Sequence, residues 1–97
     1  MAPLKVLVAD DHCLFRQGLI SLMKTRSDLV RVVGEASSGR EALEMTAKLQ
    51  PDVVLMDINM PDGNGLEATA CIHEKFPDVT VVMLTASETE NDLYQAI

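Results

Sequence analysis

The chain has 97 residues, 15 acidic and 8 basic, for a formal net charge of −7, with two cysteines and no tryptophan. That length holds one domain, and a composition of 47% hydrophobic and 24% charged residues excludes a disordered or fibrous chain. The longest uncharged stretch, Val79 to Ser87, is nine residues, far short of the roughly twenty that a membrane helix needs, and an acidic balance without a basic run argues against direct contact with nucleic-acid phosphates. The N-terminus meets Asp10-Asp11 before any apolar run long enough for a signal peptide. These features place the chain in the cytoplasm, away from membranes, with Cys13 and Cys71 as reduced thiols buried like small hydrophobes.

Leu4 to Ala9 is a short apolar run stopped by two aspartates, the pattern of a strand buried on both faces. From Cys13 to about Thr25, Leu14, Phe15, Gly18, Leu19, Leu22 and Met23 recur at helical spacing, and Asp11 stands ahead of them as the expected cap. A second strand is predicted over Leu29 to Glu35, and a helix opening at Ser38-Gly39 runs to Leu49 before Gln50-Pro51. Val53 to Met56 reads as the third strand, Leu66 to Phe76 as the third helix, and Val79 to Leu84 as the fourth strand. Glu88 to Ile97 begins a fourth helix, whose early carboxylates suit the helix dipole. Strict alternation of strand and helix implies an α/β fold, a doubly wound parallel sheet with helices on both faces.

Ligand sites in such sheets lie beyond the carboxyl ends of the strands. Strand one ends at Asp10-Asp11, strand three at Asp57 and strand four at Thr85, so three carboxylates and a hydroxyl are expected on one edge. Neighbouring carboxylates repel unless a cation sits among them. Mg2+ suits the set, because it takes a few carboxylates and keeps places for water and phosphate oxygens. Taken singly, Asp10 and Asp11 also serve as helix caps and Asp57 as a strand end before a turn; their joint placement favours a site. Asp57 follows Val53-Val54-Leu55-Met56 with no break, and a carboxylate so held can act as a nucleophile towards phosphorus. His12 reads as a solvent-facing residue of the first helical turn rather than a ligand, since hard Mg2+ favours oxygen. His73 reads as surface, and Met56, Met60 and Met83 as core packing.

Val-Ala-Asp10-Asp11-His12, Val-Leu-Met-Asp57-Ile-Asn-Met-Pro61-Asp62-Gly63 and Val-Met-Leu-Thr85-Ala-Ser87, in that order, strongly resemble the receiver domain of two-component response regulators. Within that family the chain looks most like regulators whose receiver precedes a helix-turn-helix DNA-binding domain of the NarL/FixJ type. The resemblance implies a flavodoxin- or CheY-like fold with strand order two-one-three-four-five. It makes Asp57 the phosphoacceptor towards a sensor histidine kinase, and Asp10, Asp11 and Asp57, with the backbone carbonyl of Asn59, the Mg2+ ligands. It makes Thr85 the switch hydroxyl that contacts the phosphoryl group. Pro61 and Gly63 set the loop geometry, and Asn59 and Ser87 lie where they could tune the phosphoryl lifetime.

The family's fold is a five-fold repeat of strand and helix, whereas residues 1–97 hold four strands and the start of the fourth helix. The expectation is therefore a receiver domain incomplete at its C-terminus, or part of a longer regulator. It lacks the fifth unit, the family's phosphoryl-contacting lysine and its aromatic switch residue, and DNA would be reached only through an output domain outside this chain. The uncharged stretch Thr80 to Ala86 is then a bare edge, which predicts self-association or exchange of elements with a second copy. The expected function is a phosphorylation-dependent signalling module that controls transcription and catalyses at most its own phosphorylation and dephosphorylation. Two alternatives stand beside it. One is a Mg2+-dependent phosphatase or phosphotransferase with an aspartyl nucleophile, disfavoured because Asn59 stands where haloacid-dehalogenase-type enzymes place a second aspartate. The other is a receiver-like interaction module that takes no phosphate.

Overall fold

The computed structural model describes residues 2–58, 60 and 65–84. The expected helix over Glu88 to Ile97 lies outside them. Seven elements alternate along the chain: β1 (Leu4–Ala9), α1 (Cys13–Lys24), β2 (Val30–Ala36), α2 (Gly39–Leu49), β3 (Val53–Asp57), α3 (Gly65–Lys75) and β4 (Thr80–Leu84). The strands are parallel in the order β2-β1-β3-β4.

Residues Val6 to Ala9 are all buried because β1 is central and covered on both faces. Alternation splits them. Leu7 and Ala9 join Val54 and Met56 under α2 and α3, where Ala42, Ala68 and Ile72 complete the larger core, while Val6 and Val8 meet Ile20 of α1 on the other face. The strand register pairs Ala9 with Met56, so Asp10 and Asp57 emerge at the same level of adjacent strands. Two backbone bonds extend the pairing past those residues, from Asp10 N–H to the Ala36 carbonyl at 2.9 Å and from Ile58 N–H to the Leu84 carbonyl at 3.1 Å.

Local chemistry fixes the rest. In β2 an extra residue intervenes after Val32, so that Leu7 pairs with Gly34. A Cβ at Gly34 would come within 2.7 Å of Leu49 Cδ1 and 3.1 Å of Met45 Cε, so the glycine lets α2 settle against β2. Ser38 caps α2 by accepting from Glu41 N–H at 3.1 Å, and the Glu41 carboxylate accepts from Ser37 N–H at 2.7 Å. Gln50 ends the helix in the left-handed region (φ 49°) directly before Pro51, which cannot continue it.

Three expectations are corrected. Asp11 does not cap α1; His12 occupies the N-cap position and its side chain makes no capping bond. Cys13 is exposed and Cys71 only half-buried, because the core positions of their helices go to Ile20 on α1 and to Ala68 and Ile72 on α3. The apolar stripe Leu14, Phe15 and Leu22 faces outward, with Leu14 88% exposed, and the sheet receives Ile20 with Leu19 and Met23 instead. Of the residues read at helical spacing, Leu19 and Met23 do face the sheet, Leu14, Phe15 and Leu22 do not, and Ile20, not among them, is the most buried. Burial of Ile20 with Leu19 and Met23 against Val6 and Val8 sets the face, and Arg16 Nε, one turn before Ile20, donates to Glu35 at 2.8 Å on the β2 side. Elsewhere strand and helix limits shift by a residue, as at β2 and α3, which begin at Val30 and Gly65.

This rotation of α1 predicts opposite outcomes for two leucine-sized truncations. Ile20→Ala is expected to lower the unfolding free energy by about 2 kcal/mol or more, and Leu22→Ala to change it by no more than about 0.5 kcal/mol, both read from denaturant unfolding.

Candidate functional site

At the carboxyl edge of the sheet, Asp10 is 1% exposed and Asp57 fully buried, each carried there by a central strand. Asp11 is the more open member, its side chain 27% exposed. One ligand atom each from Asp10, Asp11, His12 and Asp57 lie within 4.8 Å of one another. Asp10 Oδ1 accepts from His12 N–H at 2.7 Å, whereas Asp10 Oδ2 is buried without a hydrogen-bond partner among the described residues. An orphaned, buried carboxylate oxygen within a group of three aspartates is the kind of donor that a hard divalent cation satisfies.

His12 differs from its expected placement. Its side chain is 57% exposed, yet Nδ1 turns inward to 3.1 Å from Asp10 Oδ1, 3.2 Å from Asp11 Oδ1 and 3.6 Å from Asp57 Oδ2. The hydrogen bond to Asp10 and then the charge of Asp11 raise its pKa above the ordinary 6.5. The bond from His12 N–H to the Asp10 side chain makes a short link into the first helical turn and keeps His12 beside the carboxylates.

Two supports of the site were not apparent from the sequence. The Arg16 guanidinium donates from Nη1 to the Asp10 carbonyl and from Nε to Glu35, and Gln17 adds a bond to the same Glu35 oxygen at 3.2 Å. This clamp ties the turn after β1 to the end of β2. Gly65, at the start of α3, donates its N–H to the Ile58 carbonyl at 3.0 Å. A Cβ there would overlap the Asp57 carbonyl oxygen and lie 3.0 Å from the Asp57 carbonyl carbon and Ile58 Cα. The only sequence signal for Gly65 was its membership of a turn-forming cluster, and Arg16 was hidden within an apolar helix. Met56 and Met60 are buried and Met83 packs against the same core, as expected, and His73 is exposed. Asn59, Pro61, Gly63, Thr85 and Ser87 lie outside the described residues.

The family model of the response regulator receiver domain matches residues 6–97. The chain belongs to that family. It is 44% identical over 95 residues to the response regulator protein VraR of Staphylococcus saprophyticus, covering 98% of this chain and 45% of that protein. The chain thus spans under half the length of the curated relatives it matches. Among solved structures, the signal receiver domain of the response regulator NarL from Mycobacterium tuberculosis superposes with a TM-score of 0.83 at 35% identity, covering 99% of this chain and 77% of that one. A DNA-binding response regulator of the LuxR family from Staphylococcus aureus gives 0.79 at 27% identity, covering 96% and 77%.

A receiver domain is a signalling module, not a turnover enzyme. Receivers generally bind Mg2+ at an acidic pocket, and the Asp10, Asp11 and Asp57 oxygens of this receiver fit such an ion. Among the described residues, no helix is long and apolar enough to cross a membrane.

Gly65→Ala is expected to destabilise the receiver by about 2 kcal/mol through backbone overlap. Gly18→Ala, in the middle of α1 where an added Cβ meets nothing within 4 Å, is expected to stabilise by about 0.5–1 kcal/mol through helix propensity; thermal unfolding of the pair reads both signs. In metal-free buffer the His12 ring resonance is expected to titrate above 6.5 and to move back towards that value in Asp10→Asn. Because the folded-state value is raised, the contact stabilises the fold fully below the unfolded-state value and is lost as pH rises through the folded one.

Proposed function

We propose that this receiver accepts a phosphoryl group on Asp57 from the phosphohistidine of a sensor histidine kinase, with Asp10 and Asp11 holding Mg2+. The reading rests above all on one observation, the convergence of the buried Asp10 and Asp57 carboxylates with Asp11 at the carboxyl edge of two central strands. A carboxylate oxygen of Asp57 attacks phosphorus, forming an O–P bond as the P–N bond of the donor breaks and the departing imidazole keeps the electron pair. Asp57 is held at the last residue of β3 by its backbone pairing, so the protein contributes mainly position. Mg2+, when bound, supplies the positive charge that offsets three carboxylates and the incoming phosphoryl oxygens.

The same proposal assigns the Asn59 carbonyl as a further Mg2+ ligand, Thr85 as the switch hydroxyl, Pro61 and Gly63 as loop-shaping residues, and Asn59 and Ser87 as tuning positions. Self-phosphorylation from small donors and self-dephosphorylation belong to it as well. Residues 1–97 are the phosphoacceptor domain, and the output is control of transcription through a separate DNA-binding domain, a reading supported by likeness to the LuxR-family DNA-binding regulator. Cytoplasmic residence is part of the same reading. Self-association is proposed through the β4 edge, where Val82 is 43% exposed.

Incubation with Mg2+ and acetyl phosphate, followed by intact-mass measurement, is expected to show one added phosphoryl group on the wild-type chain and none on Asp57→Asn. Addition to both would move the acceptor elsewhere. Light scattering of the same samples is expected to give a mass above that of one chain; a single-chain mass at all micromolar concentrations would remove the self-association.

A further inference from the structure

The ring of His12 is surplus to an all-oxygen Mg2+ site. Its Nδ1 is 3.1, 3.2 and 3.6 Å from oxygens of three different carboxylates, carried by the end of β1, the turn after it and the end of β3. One ring N–H needs one acceptor, so an ordinary hydrogen bond to Asp10 accounts for only one of these approaches. Ligands of a small divalent ion held at about 2.1 Å are separated from one another by roughly 3.0 Å at octahedral angles and 3.4 Å at tetrahedral ones. The observed separations are of that size. The backbone of His12 is tied to the same group, since its N–H bonds Asp10 Oδ1 at 2.7 Å. Asp10 Oδ2, in a residue 1% exposed, stays without a hydrogen-bond partner among the described residues, which leaves a donor waiting in the same group.

We propose that His12 is a nitrogen ligand of this site, so that the receiver takes a borderline divalent transition-metal ion, of the Co2+ or Zn2+ kind, through Asp10, Asp11, Asp57 and the His12 Nδ1. The inference rests on the acidic group being a cation site, as proposed above. Mg2+ takes oxygen and water and loses little without the imidazole, whereas ions that accept imidazole gain a direct bond. His12 thereby sets which cation the receiver prefers when both are present.

The test compares Co2+ and Mg2+ binding by calorimetry on the 97-residue chain, its His12→Ala and His12→Gln variants, and Asp10→Asn. Both His12 variants are expected to weaken Co2+ by about tenfold or more while changing Mg2+ affinity by less than about twofold. The Co2+-loaded wild type is expected to show a hyperfine-shifted, exchangeable imidazole N–H resonance that both His12 variants lack. An unchanged Co2+ affinity in the His12 variants, or the same resonance persisting in them, overturns the assignment. The underlying cation site is judged separately: Mg2+ affinity that survives Asp10→Asn unchanged would refute that site, whatever the His12 variants show.

Discussion

Burying Asp10 and Asp57 at the same level of neighbouring strands works against folding, because each carboxylate gives up water and faces a like charge. A hydrophobic pair in those places would pack without that penalty. The parallel sheet compensates by burying the residues just before them, Val6 to Ala9 together with Val54 and Met56, almost completely. The apolar core thus carries the polar edge. The destabilisation is concentrated where chemistry needs charge, and any cation that enters stabilises the folded state according to its affinity and concentration.

Around that edge the protein uses few residues. Arg16 and Glu35 lock the turn after β1 to the end of β2, and Gly65 lets the start of α3 lie directly against the Asp57 backbone. His12 brings a ring nitrogen to the three carboxylates from a position that merely starts a helix. None of these four makes the chemistry by itself. Together they surround the backbone and side chains of the three carboxylates.

The order of elements and the edge on which Asp10, Asp11 and Asp57 meet were legible in the sequence. Strands that are apolar on both faces and stop at an aspartate point strongly to a ligand-binding edge in an alternating α/β chain, and the parallel register follows from the crossovers. What could not be read was orientation within an element. The stripe Leu14, Phe15 and Leu22 satisfies helical spacing as well as Leu19, Ile20 and Met23 do, and only packing against the sheet shows which of them is covered. Asp11 looked like a cap because capping chemistry is local, but α1 begins at Cys13, one residue too late for Asp11 to stand at the N-cap, which falls to His12. The His12 ring was read from the preferences of Mg2+, which say nothing about where a side chain without that ion comes to rest. Gly65 illustrates the same limit, since a glycine in a turn cluster carries no mark of which backbone it will touch.

A cation site built on buried like charges, within a fold that tolerates them, makes stability and metal binding two readings of one property. Thermal unfolding of wild type and Asp10→Asn with and without Mg2+ tests this most directly. The metal-free variant is expected to melt above the metal-free wild type, through relief of like-charge burial, and Mg2+ to raise the melting temperature of the wild type but not of the variant. A metal-free variant that melts lower than wild type, together with an equal response of both chains to Mg2+, would contradict it.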